Sequence, residues 1–410
     1  MNLLSTSCTL AVLIIYCLQN YAHAKLLPED VIKEENYPVE THSIETEDGY
    51  LLTVHRIPNE FGIPVYLQHG ILSSSLNWLG IGKRRSLPYY LWDHGFDVWI
   101  GNSRGNSYSK GHKSFKITDP EFWDFSWHEV GKYDLPAIIS HIVDTTKQRI
   151  FYIGHSLGVT KFAVMANQKP EVAKHVRATI GLAPAVYEKN IKQPLVRALS
   201  RFRKEFKSAA GFLRIHEFFG QNIIFDVMRK NICAIPALGT WACSNFMFFL
   251  FGYSPKQLNY DLLPTYLSEF PDGTSVKLFV HWLQQMHTDH FENFDYGRDM
   301  NLKMYNSSEP PRYNLTKIET PIAVFYSDND LITDEKDTTR FYNEIPNKLG
   351  LYNVGHSFNH GDFLHGINAT ELVYQKILDI FLTILIREEE SEAKIVTQSI
   401  LDVPIYNFIN

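Results

Sequence analysis

The chain has 410 residues, of which 45% are hydrophobic and 20% charged. That is room for a large buried core plus a second module, and the balance is that of a globular protein. A formal net charge of −6 gives no reason to expect nucleic acid as a partner, and no repeat or low-complexity tract interrupts the chain.

Residues 1–24 read as a removable leader. Leu10 to Leu18 is a short apolar core, and Ala22-His23-Ala24 is a cleavage pattern behind it. So short a run cannot span a bilayer as a helix, and no later stretch is long and apolar enough to do so. Cys8 and Cys17 leave with the leader. Cys233 and Cys243 remain, an even number for an oxidising compartment. Asn306, Asn314 and Asn368 head N-x-S/T sequons, so glycosylation is expected at exposed loops. The expected location is secreted, with the lysosome as the alternative.

His42 to Pro58 alternates around Asp48-Gly49, a hairpin signal. Short apolar runs then recur at 65–68, 96–100, 150–153, 178–182, 322–326 and 351–354. Helix-length segments separate most of them, which predicts a mostly parallel α/β sheet with helices on both faces. About 140 residues of different texture precede the run at 322, with basic, Phe-rich stretches and the apolar Phe246–Phe251. We read 188–312 as a mainly helical cap, inserted between core segments 25–187 and 313–390. Residues 391–410 read as a C-terminal extension, and the tail after Arg387 opens on the solvated run Glu388-Glu389-Glu390.

The most informative stretch is Arg149 to Gly158. An apolar, β-branched run leads into Gly154-His155-Ser156-Leu157-Gly158, and a helix-forming segment follows. This is the nucleophile elbow of an α/β-hydrolase, where a strand turns sharply into a helix and leaves one serine on the tip. A serine hydroxyl needs a histidine base, and the base needs a carboxylate to fix its tautomer. In this fold the chain order is Ser, acid, His. The loop after 326 offers Asp328 and Asp330, and we prefer Asp330 because it lies farther along the loop. Asp334 and Asp337 read as helix N-terminal residues. The loop after 354 offers His356 and His360, and we prefer His360, which can reach back and is followed by Gly361. The oxyanion donors are expected to be the backbone N–H groups of Leu157 and Ile71. No metal-ligand spacing and no phosphate-binding glycine loop is visible, so neither metal nor cofactor is expected.

Six further stretches extend the pattern. They are His69-Gly70-Ile71-Leu72-Ser73-Ser74-Ser75-Leu76-Asn77-Trp78, Asp97-Val98-Trp99-Ile100-Gly101-Asn102-Ser103-Arg104-Gly105-Asn106 and Lys132-Tyr133-Asp134-Leu135-Pro136-Ala137. Then come Gly273-Thr274-Ser275-Val276, Pro321-Ile322-Ala323-Val324 and Asn359-His360-Gly361-Asp362-Phe363. From about residue 28 to 385 the chain resembles the acid lipase family, the gastric, lysosomal and insect gut lipases. The resemblance implies cleavage of neutral lipid esters, triacylglycerols or sterol esters, without a cofactor. It implies transient contact with a lipid droplet or micelle surface. By position, the family's nucleophile falls on Ser156, its acid on Asp330, its base on His360, and its oxyanion donors on Ile71 and Leu157. Its cap disulfide falls near Cys233 and Cys243. One departure is Leu157, where mammalian members carry Gln; the backbone donor survives and the side-chain role does not. A carboxylesterase for small soluble esters and a non-catalytic lipid carrier are the alternative readings.

Overall fold

The computed structural model describes residues 26–83, 85–220, 233, 235 and 237–401. The leader reading at 1–24 lies outside the described residues, as do 221–232 of the insertion and the last nine positions.

A hairpin starts the sheet. β1 (Glu40–Glu45) and β2 (Tyr50–Ile57) pair antiparallel, with Glu45 opposite Leu51. Gly49 closes the turn at a φ of +93°, and its N–H donates to the Thr46 carbonyl. A residue without Cβ takes that conformation at no steric cost. There follow β3 (Ile63–Gln68), β4 (Phe96–Gly101), β5 (Ile150–His155), β6 (Val176–Leu182), β7 (Ile322–Tyr326) and β8 (Lys348–Asn353). The described residues place these in a nine-stranded sheet, in the order β1-β2-β4-β3-β5-β6-β7-β8, and Gly111–His112 pairs with β2 off that path. From β4 to β8 all neighbours are parallel. This is the α/β-hydrolase architecture the sequence predicted.

The central strands are mostly apolar because both of their faces are covered. Leu67 and Ile153 pack with Phe363 and Phe381 on one face, while Tyr66 and Tyr152 pack with Ile138 and Phe162 on the other. Among the helices that cover the sheet or follow it are α1 (Leu87–Asp93), α2 (Leu135–Thr146), α3 (Leu157–Gln168), α4 (Pro194–Arg201), α5 (Arg203–Phe212), α6 (Leu238–Phe251), α7 (Leu263–Glu269), α8 (Val276–Gln285), α9 (Glu335–Glu344) and α10 (Gln375–Leu401). Five of these, α4 to α8, fall in the segment read as a helical insertion. The bond between Cys233 and Cys243 ties α6 to the stretch before it, and both cysteines are buried beside Met247 and Leu267.

The solvated run after Arg387 is only partly that. Glu389 and Glu390 are exposed, but Glu388 reaches back to the guanidinium groups of Arg149 and Arg177 beside β5 and β6. α10 therefore runs unbroken through the boundary drawn at 390.

Candidate active site

Ser156 sits between β5 and α3 with φ +55° and ψ −123°, a conformation that a side chain rarely tolerates. Neighbouring bonds hold it there. Its N–H donates to the Leu182 carbonyl at 2.9 Å, and its own carbonyl accepts from Val159 at 3.0 Å. The elbow glycines are required by contact. A Cβ on Gly154 would lie 2.7 Å from the Gly158 carbonyl carbon, and one on Gly158 would lie 2.4 Å from the Gln68 oxygen. Gly70 is the third such position, where a Cβ would stand 2.9 Å from that of Ser156.

The loops after β7 and β8 each offered two candidates, and the structure pairs them off. Asp330 Oδ2 accepts from His360 Nδ1 at 2.8 Å, with both side chains buried. Asp328 instead lies 3.5 Å from His356, whose side chain is 89% exposed. Asp330 is held from several sides. Its Oδ1 accepts the N–H groups of Ile332 and Thr333 at 2.7 and 2.9 Å, and its Oδ2 also accepts the Thr333 hydroxyl at 2.7 Å. With the Nδ1 proton directed at Asp330, His360 Nε2 is left as an acceptor. His360 and Ser156 line one cavity. His155 supports the histidine loop by donating from Nε2 to the His360 carbonyl at 3.0 Å. Burial and the nearby His360 hold His155 well below the usual histidine range, so it stays neutral. Asp334 caps α9, as expected, by accepting from the Lys336 N–H at 2.8 Å. Asp337 does something further: its oxygens take the N–H and the side-chain amide of Asn190, both at 2.7 Å, fastening the loop after β6.

Ile71 follows β3, and Leu157 is the first residue of α3. A helix's first N–H groups have no partner within the helix, and the Leu157 amide is one of them. The Gly-Asn-Ser-Arg-Gly-Asn stretch after β4 braces the Ile71 loop. The Ser103 N–H donates to His69 Nε2 at 3.0 Å, and Asn102 accepts from Ser75 and Asn106, each at 2.9 Å. Arg104 is buried between Asp134, at 2.5 Å, and Asp48, at 2.6 Å.

The cavity holds about 340 Å³ and is almost wholly apolar away from Ser156 and His360. Leu199, Phe219, Phe246, Phe251, Phe270 and Trp282 are among the residues that line it. Part of the aromatic surface singled out in the sequence thus faces the cavity, while Phe202 is 62% exposed. The C-terminal end of α6 is bonded to both site loops, which the sequence did not reveal. The Phe251 carbonyl accepts from Leu331 at 3.2 Å and from His360 at 3.4 Å. The Gly252 carbonyl accepts from the Asn359 side chain at 2.9 Å, and that of Tyr253 from Asn329 at 2.9 Å. The Phe251 carbonyl is one that a helix end leaves unpaired. Lys161 was also missed. Its signal was a single charge inside the apolar run that follows the elbow. The side chains of Asn306, Asn314 and Asn368 are all exposed.

Residues 28–82 match a family described as a partial alpha/beta-hydrolase lipase region, and residues 63–219 match the alpha/beta hydrolase fold. The chain is 37% identical to lipase member K of Homo sapiens, over 85% of this chain and 88% of that one. It belongs to the acid lipase family. Other relatives at this level are lipase 1 of Drosophila melanogaster, 36% identical over 86% of this chain and 79% of that one, and the gastric triacylglycerol lipase of Rattus norvegicus, 34% identical over 84% and 88%. Among solved structures, a soluble variant of monoglyceride lipase from Saccharomyces cerevisiae matches with a TM-score of 0.54 at 15% identity, over 85% of this chain and 97% of that one, which is a likeness of fold. Membership of the family makes this chain a lipase or esterase. No described helix of this family member is long and apolar enough to cross a membrane.

Proposed function

We propose that the chain is a secreted serine lipase that cleaves fatty-acyl esters of neutral lipids through an acyl-enzyme. The observation that carries this reading is the buried Asp330–His360 pair opening, with Ser156, on one apolar cavity. In this reading Ser156 Oγ attacks the ester carbonyl carbon and its proton passes to His360 Nε2. Asp330 stabilises the imidazolium that results. The carbonyl oxygen gains charge and accepts from the N–H groups of Ile71 and Leu157. Collapse breaks the ester C–O bond, and His360 returns the proton to the departing alcohol. Water, deprotonated by the same histidine, then releases the fatty acid.

Long acyl chains fit the cavity's lining, and each buried methylene contributes about 0.8 kcal/mol, roughly a fourfold gain. Exposed Phe212, Leu238, Trp241 and Phe249 on α5 and α6 support docking at a droplet or micelle surface. The leader and the exposed sequons support secretion, with a lysosomal destination as the alternative.

The test has two parts. A fluorophosphonate should label Ser156, and Ser156→Ala should stay folded and lose activity by several orders of magnitude. An ester series from two to eighteen carbons, run below and above the solubility limit, should show activity rising with chain length and with emulsion. A two-carbon optimum with emulsified lipid untouched would put a small-ester carboxylesterase in its place. No labelling and no turnover would leave a lipid carrier.

A further inference from the structure

Lys161 lies on α3, one turn beyond the elbow, within a run from Leu157 to Ala166 that is buried throughout. Its own exposure is 2%. A lysine in so dry a place must replace its lost water with fixed acceptors. Lys161 Nζ donates to Ser103 Oγ at 2.9 Å, to the His69 carbonyl at 3.0 Å and to the Gly70 carbonyl at 3.5 Å. The three donors of an ammonium are thereby used. Two of the acceptors are main-chain oxygens of the loop that carries Ile71.

The peptide between Gly70 and Ile71 links this lysine to the site. In a trans peptide the carbonyl and the next N–H point in opposite directions. Fixing the Gly70 oxygen from behind therefore fixes the direction of the Ile71 N–H. His69 assists, since its Nε2 accepts from the Ser103 N–H and its Nδ1–H donates to the same Gly70 oxygen at 2.8 Å. We propose that Lys161 is a positioning residue for ester cleavage: its ammonium pulls the His69 and Gly70 carbonyls back and so aims the Ile71 N–H at the oxygen that gains charge. The proposal rests on the assignment of Ser156 as nucleophile and Ile71 as donor.

The hold depends on a proton. Burial brings Lys161 down to about 7, and Asp134 is the carboxylate whose charge opposes that fall. The other ionisable groups around it are accounted for. His69, from the loop after β3, is kept neutral by burial and by Lys161 itself. His155, from the elbow, is neutral too. Arg104, from the loop after β4, is spent on Asp134, ahead of α2, and on Asp48 in the hairpin turn. As pH rises through about 7, Lys161 loses its charge and one of its three donors, so kcat falls. Stability moves the other way. The unfolded lysine keeps its proton up to its ordinary value of 10.5, so above about 7 the folded state binds fewer protons and is favoured as pH rises. An alkaline loss of kcat without loss of fold that disappears when Lys161 is replaced is thus the signature of this role.

The experiment uses the full-length protein, with active sites counted by fluorophosphonate labelling. Values of kcat and KM for a soluble short ester are measured across pH for wild type, Lys161→Met and Lys161→Gln. The wild-type kcat should fall above about pH 7. On the acid side Lys161→Met should lose roughly 10- to 100-fold in kcat, less than the loss of an oxyanion donor outright. Its KM should stay within about threefold, and its alkaline limb should be gone. Lys161→Gln should lie between the two on the acid side and also lack the limb. A limb at the same pH in either variant, or unchanged kcat on the acid side, would overturn the proposal. So would a wild-type profile flat across pH 7, which needs no folded variant. Failure of wild-type Ser156 to label overturns both this proposal and the reading it rests on.

Discussion

Asp328 and Asp330 stand two positions apart on one loop, yet the fold gives them opposite surroundings. Asp330 is fully buried and bonded by two N–H groups, a hydroxyl and His360. Asp328 accepts from Asn353 and faces the exposed His356. The two pairs predict a sharp ranking in steady-state kinetics on a long-chain ester. Asp330→Asn should lose about 10⁴ in kcat, as expected when the base is left in the wrong tautomer. Asp328→Asn should stay within about twofold, since pairs as exposed as this contribute little. His360→Ala and His356→Ala should split the same way, and the reverse order in either pair would reassign the base. Chain order and loop position pointed to Asp330 and His360, but the second pair was not legible, because its partners meet only when β7 and β8 lie side by side.

At the scale of elements, α6 is tied at its C-terminal end to the loops that carry Asp330 and His360. Its last carbonyl, that of Phe251, and those of Gly252 and Tyr253 just beyond it take hydrogen bonds from the Asp330 loop and from the His360 loop, so tilting α6 would shift both. Gly252 makes the joint possible. It has a φ of +125°, and a Cβ there would stand 2.0 Å from the Asn329 oxygen. Gly252→Ala should cost roughly 1–3 kcal/mol of stability in thermal unfolding and lower kcat as well. Loss of stability with kcat unchanged would show that the joint serves the fold alone. The apolar run Phe246–Phe251 was visible in the sequence as a cap feature. Its role as a brace was not, since the brace is made of main-chain carbonyls that any sequence possesses.

For the whole molecule, buried ionisable groups make stability depend on pH. His55 and His365 are both driven down to about 4 by burial. Free histidine titrates near 6.5, so between about 6.5 and 4 the unfolded chain binds more protons than the folded one, and stability is lost as pH falls. Asp362 works against this. Burial raises it to about 7, so its contribution is full at low pH and is lost as pH rises toward 7. His365 stacks on Tyr266 with ring centroids 4.6 Å apart, and its Nδ1 is sealed without a partner among the described residues. Phenylalanine keeps the stack and cannot ionise. His365→Phe should therefore lose up to a few kcal/mol less unfolding free energy than wild type as pH falls from about 6.5 to about 4. Parallel midpoint curves for the two proteins would rule this out.

The strand runs, the Asp48-Gly49 turn and the sharp turn at Ser156 could be read from the sequence alone, and chain order put Asp330 and His360 forward as the proposed partners of that serine. Each depends on local physics: apolar runs bury on two faces, glycine fits where a Cβ would collide, and a serine needs a base later in the chain. Tertiary structure decided the rest. It paired His360 with Asp330 and His356 with Asp328, put side chains of α4 and α6 around the cavity that Ser156 and His360 line, and folded Glu388 back onto Arg149 and Arg177. It also set Lys161 beneath the Ile71 loop, although 90 residues separate the two positions. Contacts of this kind lie between segments far apart in the chain. Their energies come from burial and from fixed hydrogen-bond geometry, which exist only once the sheet has brought its carboxyl ends together.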